Sequence, residues 1–230
     1  MLSETKNSVS IQKLEYIQST GTQRIDTGYI PKVNTVLEMD IQFVKNEYEH
    51  ANNLPKGTTN TFFGCIDSVV EYFCANFGGG AAQEKEIYFW NDKSNNNGGL
   101  IRSMYCGNSM YNRNVLRMER DRVKYTSELS LTPKSQNHKN RTLYLFGVNT
   151  EMSEGNIFTF IRHDMKLYSC KIYEDEVLIK DFIPAMRGEK IGLYDQVEKK
   201  FYENIGTGEF LYSDYELYPV DSQNRFLIKK

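Results

Sequence analysis

The chain lacks the features that a membrane span, an exported protein or a nucleic-acid-binding protein would need. No stretch approaches the roughly 20 apolar residues of a spanning helix, and residues 1–8 lack the apolar segment of a secretory signal. Acidic and basic residues are interspersed and leave a net charge of −2, so no basic surface for nucleic acid is predicted. We expect a protein made in the cytoplasm, without membrane insertion and without a nucleic-acid partner.

Residues that commonly carry out catalysis are also scarce. The three histidines are isolated: His50 and His138 lie in polar segments, and His163 precedes Asp164 without a nucleophilic motif. Scattered histidines do not predict a metal centre, and we interpret them as surface residues. The four cysteines form no C-x-x-C pair, and a disulfide framework is unusual in a chain of 230 residues, so we predict unbridged thiols that lie mostly in the core.

Tyrosine and phenylalanine are abundant in the chain, whereas tryptophan is nearly absent. The chain has 16 tyrosines and 13 phenylalanines against one tryptophan, and 40% of its residues are hydrophobic. Aromatic residues favour strands, and no segment sustains the 3.6-residue period of a helix. These patterns predict a single all-β domain with a core between two sheets. Predicted strands span 12–18, 35–44, 61–66, 70–77, 86–90, 100–105, 114–124, 141–147, 157–162, 166–173, 176–183, 190–194, 199–203 and 208–218.

The clearest strands lie in the last third of the chain. Within 166–173, alternation places Tyr168 and Cys170 on the same, core-facing side. The next strand, within 177–184, is apolar on both faces near its end. Pro184 is expected to end it, because proline cannot donate a hydrogen bond to a neighbouring strand.

Two sets of short phrases stand out, one near each end of the chain. They are Leu14–Gln23, Ile25–Gly28, Lys166–Tyr173, Asp181–Pro184, Gly192–Asp195, Phe201–Asn204 and Gly206–Phe210. These phrases resemble those of laminin-G-like or concanavalin-A-like jelly-roll domains of gut bacteria and their phages, and the resemblance covers roughly residues 13–45 and 141–210. It implies an antiparallel β-sandwich at 13–212, with an N-terminal arm at 1–12 and a C-terminal extension at 213–230.

The resemblance implies a function in binding rather than in catalysis. It favours a non-enzymatic virion protein of a phage that infects gut bacteria: a fibre, decoration or tail-associated protein with a lectin-like domain. The partners implied are cell-surface glycans, sister subunits of a homo-oligomer and other virion proteins. A bacterial surface adhesin with a carbohydrate-binding domain is the alternative, and a glucanase-like glycoside hydrolase is the third possibility.

The hydrolase hypothesis depends on Glu38 and Asp40. Glucanases of the concanavalin-A-like fold carry alternating acids on one strand, in patterns such as E-x-D-x-E, and Glu38-Met39-Asp40 resembles the first part of that pattern. The third acid is missing here, since Gln42 and Phe43 occupy the two positions where it would stand. Retaining hydrolysis needs a second carboxylate about 5–5.5 Å from the first. We therefore predict that Glu38 and Asp40 lie on a solvent-facing sheet surface.

Aromatic rings close to short polar side chains predict a glycan site. Rings stack on the apolar faces of sugars, and amides and carboxylates bind their hydroxyls. Core packing at a strand end is the alternative for Trp90. No cofactor is predicted, although Asp92, Asn95 and Asn97 offer oxygen ligands that leave calcium open. The candidate glycan-binding residues are Trp90, Asn91, Asp92, Tyr105, Asn108, Tyr111 and Arg113.

Overall fold

The two faces of the protein are formed by two β-sheets that pack against each other as a sandwich. The computed structural model describes residues 10–44, 58–68, 71–77, 85–90, 102–131, 137–150, 159–160 and 165–214. Within these ranges, almost all regular structure is β-strand and nearly all pairing is antiparallel. The predicted all-β antiparallel sandwich is therefore confirmed.

The strands follow one another with short connections in the described ranges. A short 3-10 helix, Gly107–Tyr111, lies between β7 and β8. In chain order the strands are β1 (Ile11–Ser19), β2 (Ile25–Asp26), β3 (Thr35–Phe43), β4 (Thr58–Ser68), β5 (Glu71–Phe77), β6 (Glu86–Trp90), β7 (Arg102–Tyr105), β8 (Asn114–Met118), β9 (Arg122–Lys124), β10 (Glu128–Ser130), β11 (Tyr144–Leu145), β12 (Asn149–Thr150), β13 (Thr159–Phe160), β14 (Met165–Glu174), β15 (Val177–Arg187), β16 (Lys190–Asp195), β17 (Lys200–Glu203) and β18 (Leu211–Asp214).

The larger sheet joins the two ends of the described chain. Its strand order is β10-β9-β8-β3-β14-β1-β15-β16-β17, and β18 pairs with β1. The smaller sheet has the order β2-β11-β4-β5-β6-β7, and β12 and β13 each add a short parallel pairing with β4. Residues 11–13 pair with β15, and β18 pairs along β1. Residues 1–9 of the predicted arm and 215–230 of the predicted extension lie outside the described ranges.

The core lies between the sheets and follows from strict alternation along the strands. In β3, every second residue from Thr35 to Phe43 is buried, and the residues between them are partly exposed. Each large apolar side chain removed from water contributes about 1.5–3 kcal/mol. The largest fully buried aromatic side chains are Phe43, Phe63, Phe73, Phe89 and Phe182.

A β-bulge in β14 overturns the prediction for Tyr168. The register of β14 against β3 shifts between Leu167 and Ser169, which accommodates one extra residue on the bulged strand. Tyr168 is consequently partly exposed on the outer face, whereas Cys170 is buried as predicted. The predicted inward placement of Tyr168 was wrong, because the alternation of residues in a sequence does not reveal a bulge.

The prediction that Pro184 ends its strand is also wrong, because β15 continues to Arg187. On one side, Pro184 pairs opposite Leu193 of β16. On the other side, pairing with β14 stops at Phe182 and pairing with β1 begins at Ala185. Pro184 lies in this gap, where a missing backbone N–H costs no ladder hydrogen bond.

All four cysteines of the chain are buried, and none forms a disulfide, which confirms the prediction. Burial raises the pKa of the Cys74 and Cys170 thiols. Burial also raises the pKa of Cys106. Such thiols are poor nucleophiles, since the thiolate is the reactive form.

We predict that the native protein reacts with an aromatic disulfide reagent at neutral pH only slowly. Unfolding in guanidinium should release all four thiols at the rate of an exposed cysteine, because both burial and the raised pKa are then lost. Absorbance of the released thiolate measures both rates. A thiol that reacts within the mixing time in the native protein would contradict the buried placement.

Candidate functional site

The predicted glycan residues fall into three groups in the structure. Asn91 and Asp92 lie outside the described residues, as do the calcium candidates Asn95 and Asn97. Trp90, Tyr105 and Asn108 lie at the smaller sheet or next to it. Tyr111 and Arg113 are directed to the larger sheet, so the structure does not bring the described candidates together at one surface.

Trp90 ends β6 on the outer side of the smaller sheet, opposite Cys74 of β5. Its partly buried side chain packs against a small hydrophobic cluster formed by Ile66, Cys74 and Val148. The buried part of the Trp90 ring therefore packs at a strand end, as the alternative to a glycan-binding role predicted. The cluster is separate from the main core, on the other side of the smaller sheet.

Tyr105 is the most exposed large hydrophobic residue of the described chain, at 63%. It lies directly opposite Glu86 in the pairing of β6 with β7, and residues opposite each other share a sheet face. Glu86, Tyr88 and Trp90 also share that face, because they alternate with the buried Ile87 and Phe89. We call Glu86, Tyr88, Trp90 and Tyr105 the aromatic surface.

The geometry of the aromatic surface suits a polyhydroxylated ligand. Side chains two residues apart on one strand face are about 7 Å apart, and diagonal cross-strand neighbours are separated by a similar distance. The Tyr88 hydroxyl donates to Glu86 Oε2 at 2.8 Å. Burial and this hydrogen bond raise the pKa of Tyr88 to about 12. At neutral pH the surface therefore offers aromatic rings beside a carboxylate that is already oriented.

Asn108 borders this surface from the 3-10 helix. Its Oδ1 accepts a hydrogen bond from Lys85 Nζ at 2.7 Å. Lys85 has a positive φ of 73°, and its carbonyl accepts from the backbone N–H of Cys106 at 2.9 Å. These contacts fix the connection between β6 and the helix, so Asn108 acts here as a structural anchor at the margin of the surface.

Tyr111 and Arg113 are held by residues of the larger sheet. Tyr111 packs against the main core, and its carbonyl accepts from Gln42 Nε2 at 2.9 Å. Arg113 binds both carboxylate oxygens of Asp40 at 2.7–3.1 Å. Its guanidinium also lies 3.8 Å from the centroid of the Tyr168 ring. Arg113 thus belongs to the outer face of the larger sheet, whereas Tyr111 packs against the main core beside that sheet.

On the outer face of the larger sheet, cations cover the aromatic rings. Tyr16 and Tyr168 meet edge to face with centroids 5.5 Å apart. Lys166 Nζ lies 4.2 Å from the Tyr16 centroid, as Arg113 lies over Tyr168. Since a sugar would have to displace a cation from either ring, these two rings are less suited to stacking than the exposed ring of Tyr105.

Glu38 and Asp40 lie on this same outer face, which confirms the predicted alternation. Each is ion-paired with arginine: Arg117 Nη1 is 2.7 Å from Glu38 Oε2, and Arg113 Nη2 is 2.7 Å from Asp40 Oδ2. Arg117 also binds Glu119. A glycosidase needs both of its carboxyl groups to face the scissile bond, whereas here both carboxylates are engaged by arginine guanidinium groups.

A buried lysine is the main feature that sequence reasoning missed. Lys180 is 3% exposed and packs in the aromatic surroundings of Tyr202. Its Nζ donates to the Tyr202 hydroxyl at 2.8 Å, and it pairs with Glu198 and with Asp195 Oδ2, the latter at 3.4 Å. Asp195 Oδ1 accepts from the backbone N–H groups of Asp181 and Val197, both at 3.0 Å. The network fastens the turn after β16 to β15.

His138 is buried rather than on the surface, so the prediction for it was wrong. Its Nδ1 lies 3.5 Å from Asp67 Oδ2 and 3.5 Å from Cys65 Sγ. Asp67 Oδ2 also accepts from the backbone N–H of Lys139 at 2.5 Å. The fully buried thiol offers no approach to a substrate, and the cluster anchors the segment that precedes β11. His50 and His163 lie outside the described residues.

Two further findings bear on ligands and location. No group of His, Cys, Asp or Glu side chains in the described ranges is arranged to hold a metal ion. Across the same residues, no helix is both long and apolar enough to span a membrane.

No family model, curated protein or solved structure matches the chain. The resemblance to concanavalin-A-like domains therefore stays a prediction.

We predict that Lys180→Met destabilises the protein by about 3–5 kcal/mol, because it leaves Asp195 as a buried carboxylate without its cation. Lys190→Met is the matched control, since Lys190 is 64% exposed and surface pairs contribute about 0–1 kcal/mol. Urea unfolding measures both. Adding Asp195→Asn to Lys180→Met should restore part of the loss, and an unchanged free energy of unfolding in Lys180→Met would contradict the assignment.

The same network predicts a pH dependence with two limits. Burial lowers the pKa of Lys180, but hydrogen bonds with Glu198 and Tyr202 outweigh it and raise the pKa above its ordinary value. Hydrogen bonds from Lys180 and Tyr202 lower the pKa of Glu198. The stabilisation should be lost as pH falls through the lowered pKa of Glu198 or rises through the raised pKa of Lys180. Unfolding midpoints of wild type and Lys180→Met across pH should therefore converge at both extremes.

Proposed function

We propose that this protein is a non-catalytic glycan-binding β-sandwich whose ligand stacks on the aromatic surface. The observation that carries the proposal is the exposed ring of Tyr105 on one sheet face with Tyr88, Trp90 and the oriented carboxylate of Glu86. Apolar ring faces bind the apolar faces of sugars, and the carboxylate accepts from hydroxyl groups. The Glu86–Tyr88 hydrogen bond fixes two of these groups before a ligand arrives, which lowers the entropic cost of binding.

The non-catalytic part of the proposal has a separate support. Glu38 and Asp40, which are the best candidates for a glucanase pair, are both paired with arginine and lack a third acid on β3. We further propose that the domain serves in a phage virion as a fibre, decoration or tail-associated component. This assignment rests on the phrases that resemble jelly-roll domains of gut bacteria and their phages. A bacterial surface adhesin would use the same surface in the same way.

We predict that Tyr105→Ala weakens glycan binding about 5- to 150-fold while folding is retained. Truncating the side chain removes the ring on which the sugar stacks, and a loss of about 1–3 kcal/mol is typical of aromatic stacking. A glycan array identifies the ligand, and calorimetry with that glycan measures the change. Tyr212→Ala is the matched control, because Tyr212 is a 44% exposed tyrosine on β18, away from the aromatic surface.

Equal losses in Tyr105→Ala and Tyr212→Ala would refute the aromatic surface as the binding site. No binding by wild type to any glycan on the array would refute glycan recognition itself. Release of reducing sugar from β-glucans by wild type, abolished in Glu38→Gln or Asp40→Asn, would instead establish the hydrolase alternative. We expect no release, and a stability change of about 0–1 kcal/mol in either variant.

A further inference from the structure

A cavity of about 330 Å³ lies at the end of the larger sheet, well separated in sequence from the aromatic surface. One wall is the turn between β15 and β16, with Glu189 and Lys190. The other wall is the segment that follows β17 and ends at Phe210. Its size is at the lower end of the range for small-molecule sites, about 300–1,000 Å³.

The wall after β17 is held rigidly by one asparagine side chain. Asn204 Oδ1 accepts from the backbone N–H groups of Arg24 and Gly206 at 2.9 and 2.8 Å, and its Nδ2 donates to the Gly208 carbonyl at 2.8 Å. A Cβ at Gly206 would lie 2.1 Å from the Thr22 carbonyl oxygen. The loop therefore takes this close path only with glycine at 206, and the cavity is formed before any ligand binds.

The end of β17 presents an oriented carboxylate to the cavity. Glu203 Oε1 accepts from Arg187 Nη2 and Oε2 accepts from Lys190 Nζ, both at 2.5 Å. The hydrogen bond from Lys190 lowers the pKa of Glu203, and that from Arg187 adds to the effect. Each carboxylate oxygen has a second lone pair, and Lys190 has further N–H donors. The carboxylate oxygens of Glu203, as acceptors, and Lys190 Nζ, as a donor, thus lie next to each other in the lining of the cavity.

The remaining lining completes a surface suited to a sugar. Glu189 and Glu209 add carboxylates, and Ile191 and Phe210 add apolar area at the base. A ligand with several hydroxyl groups and one apolar face matches this mixture. A carboxylate-bearing ligand does not, because the lining has three glutamates against one lysine and its net charge would repel such a ligand.

We propose that this cavity is a second binding site, independent of the aromatic surface, for a single neutral sugar unit. Glu203, Lys190 and Glu209 bind hydroxyl groups of the sugar, while Ile191 contacts the apolar face of the ring. A chain with both sites would hold a branched or repeated glycan at two points, and linked binding of this kind raises the overall affinity.

The test uses the full chain and monosaccharides as probes. Glucose, galactose, mannose and N-acetylglucosamine are titrated separately while the amide resonances of Gly206 and Gly208 are followed by NMR. We expect saturable shifts with at least one of them, at a Kd of about 1–10 mM for so small a ligand. Glucuronate should produce none. Absence of saturable shifts with all four neutral sugars, or saturation with glucuronate, would overturn the proposal.

Substitutions separate this site from the aromatic surface. Glu203→Gln and Glu209→Gln should each weaken binding about tenfold, as expected for a lost hydrogen bond to a charged group. Glu203→Gln also removes the ion pairs with Arg187 and Lys190, so its loss of binding alone would not distinguish a lost ligand contact from misfolding. Glu209→Gln is included for this reason. Glu128→Gln, an exposed change on β10, should leave the Kd unchanged. Tyr105→Ala should leave it unchanged as well, so failure of one site is distinguishable from failure of the other. Equal Kd values for Glu209→Gln and Glu128→Gln would refute the cavity site.

Discussion

The long antiparallel pairing of β3 with β14 is the constraint on which the other features of the larger sheet depend. It extends from Phe43 opposite Met165 to Thr35 opposite Glu174. Because a slip of one residue would exchange the two faces of a strand, this register decides which side chains enter the core. It directs Leu37, Met39, Ile41 and Phe43 inward, and leaves Glu38 and Asp40 beside the arginines of the outer face.

The two outer faces of the sandwich differ in what is left for a ligand. On the larger sheet, opposite charges and aromatic rings satisfy one another, as in the contacts of Arg113 with Asp40 and Tyr168. Ligand binding there would have to replace contacts that already exist. On the smaller sheet, the Tyr105 ring is exposed, and the hydrogen bond from Tyr88 to Glu86 orients a carboxylate beside it. This difference is the physical reason for placing the proposed site on the smaller sheet.

Sequence reasoning predicted the fold class and most strands, because burial on one face imposes a period of two that is visible in β3 and β14. It failed for Tyr168, since a bulge adds a residue without any mark in the pattern. It failed for Pro184, since the gap between β14 and β1 depends on tertiary pairing. It failed for His138, whose partner Asp67 is distant in sequence.

The candidate glycan site was predicted only in part. Trp90 and Tyr105 were identified from their polar neighbours, and both lie on the face that the structure brings together. Tyr88 and Glu86 were missed, although their alternation with Ile87 and Phe89 was a signal that could have found them. Arg113 was grouped with Tyr105 because the two are close along the chain. Only the pairing of β8 with β3 reveals that Arg113 belongs to the other sheet.

The position of β1 has a consequence for how the chain reaches its folded state. The first strand is bordered by β14, β15 and β18, with Ile17 opposite Leu167 and opposite Tyr212. These two contacts join residues 150 and 195 positions apart in the sequence, and such non-local pairing slows folding. During synthesis, β1 is complete long before its neighbours exist, so its edges stay open until the last strands have left the ribosome. Assembly of the larger sheet around β1 is therefore a late event, and until then the unpaired edges of β1 are exposed to wrong partners.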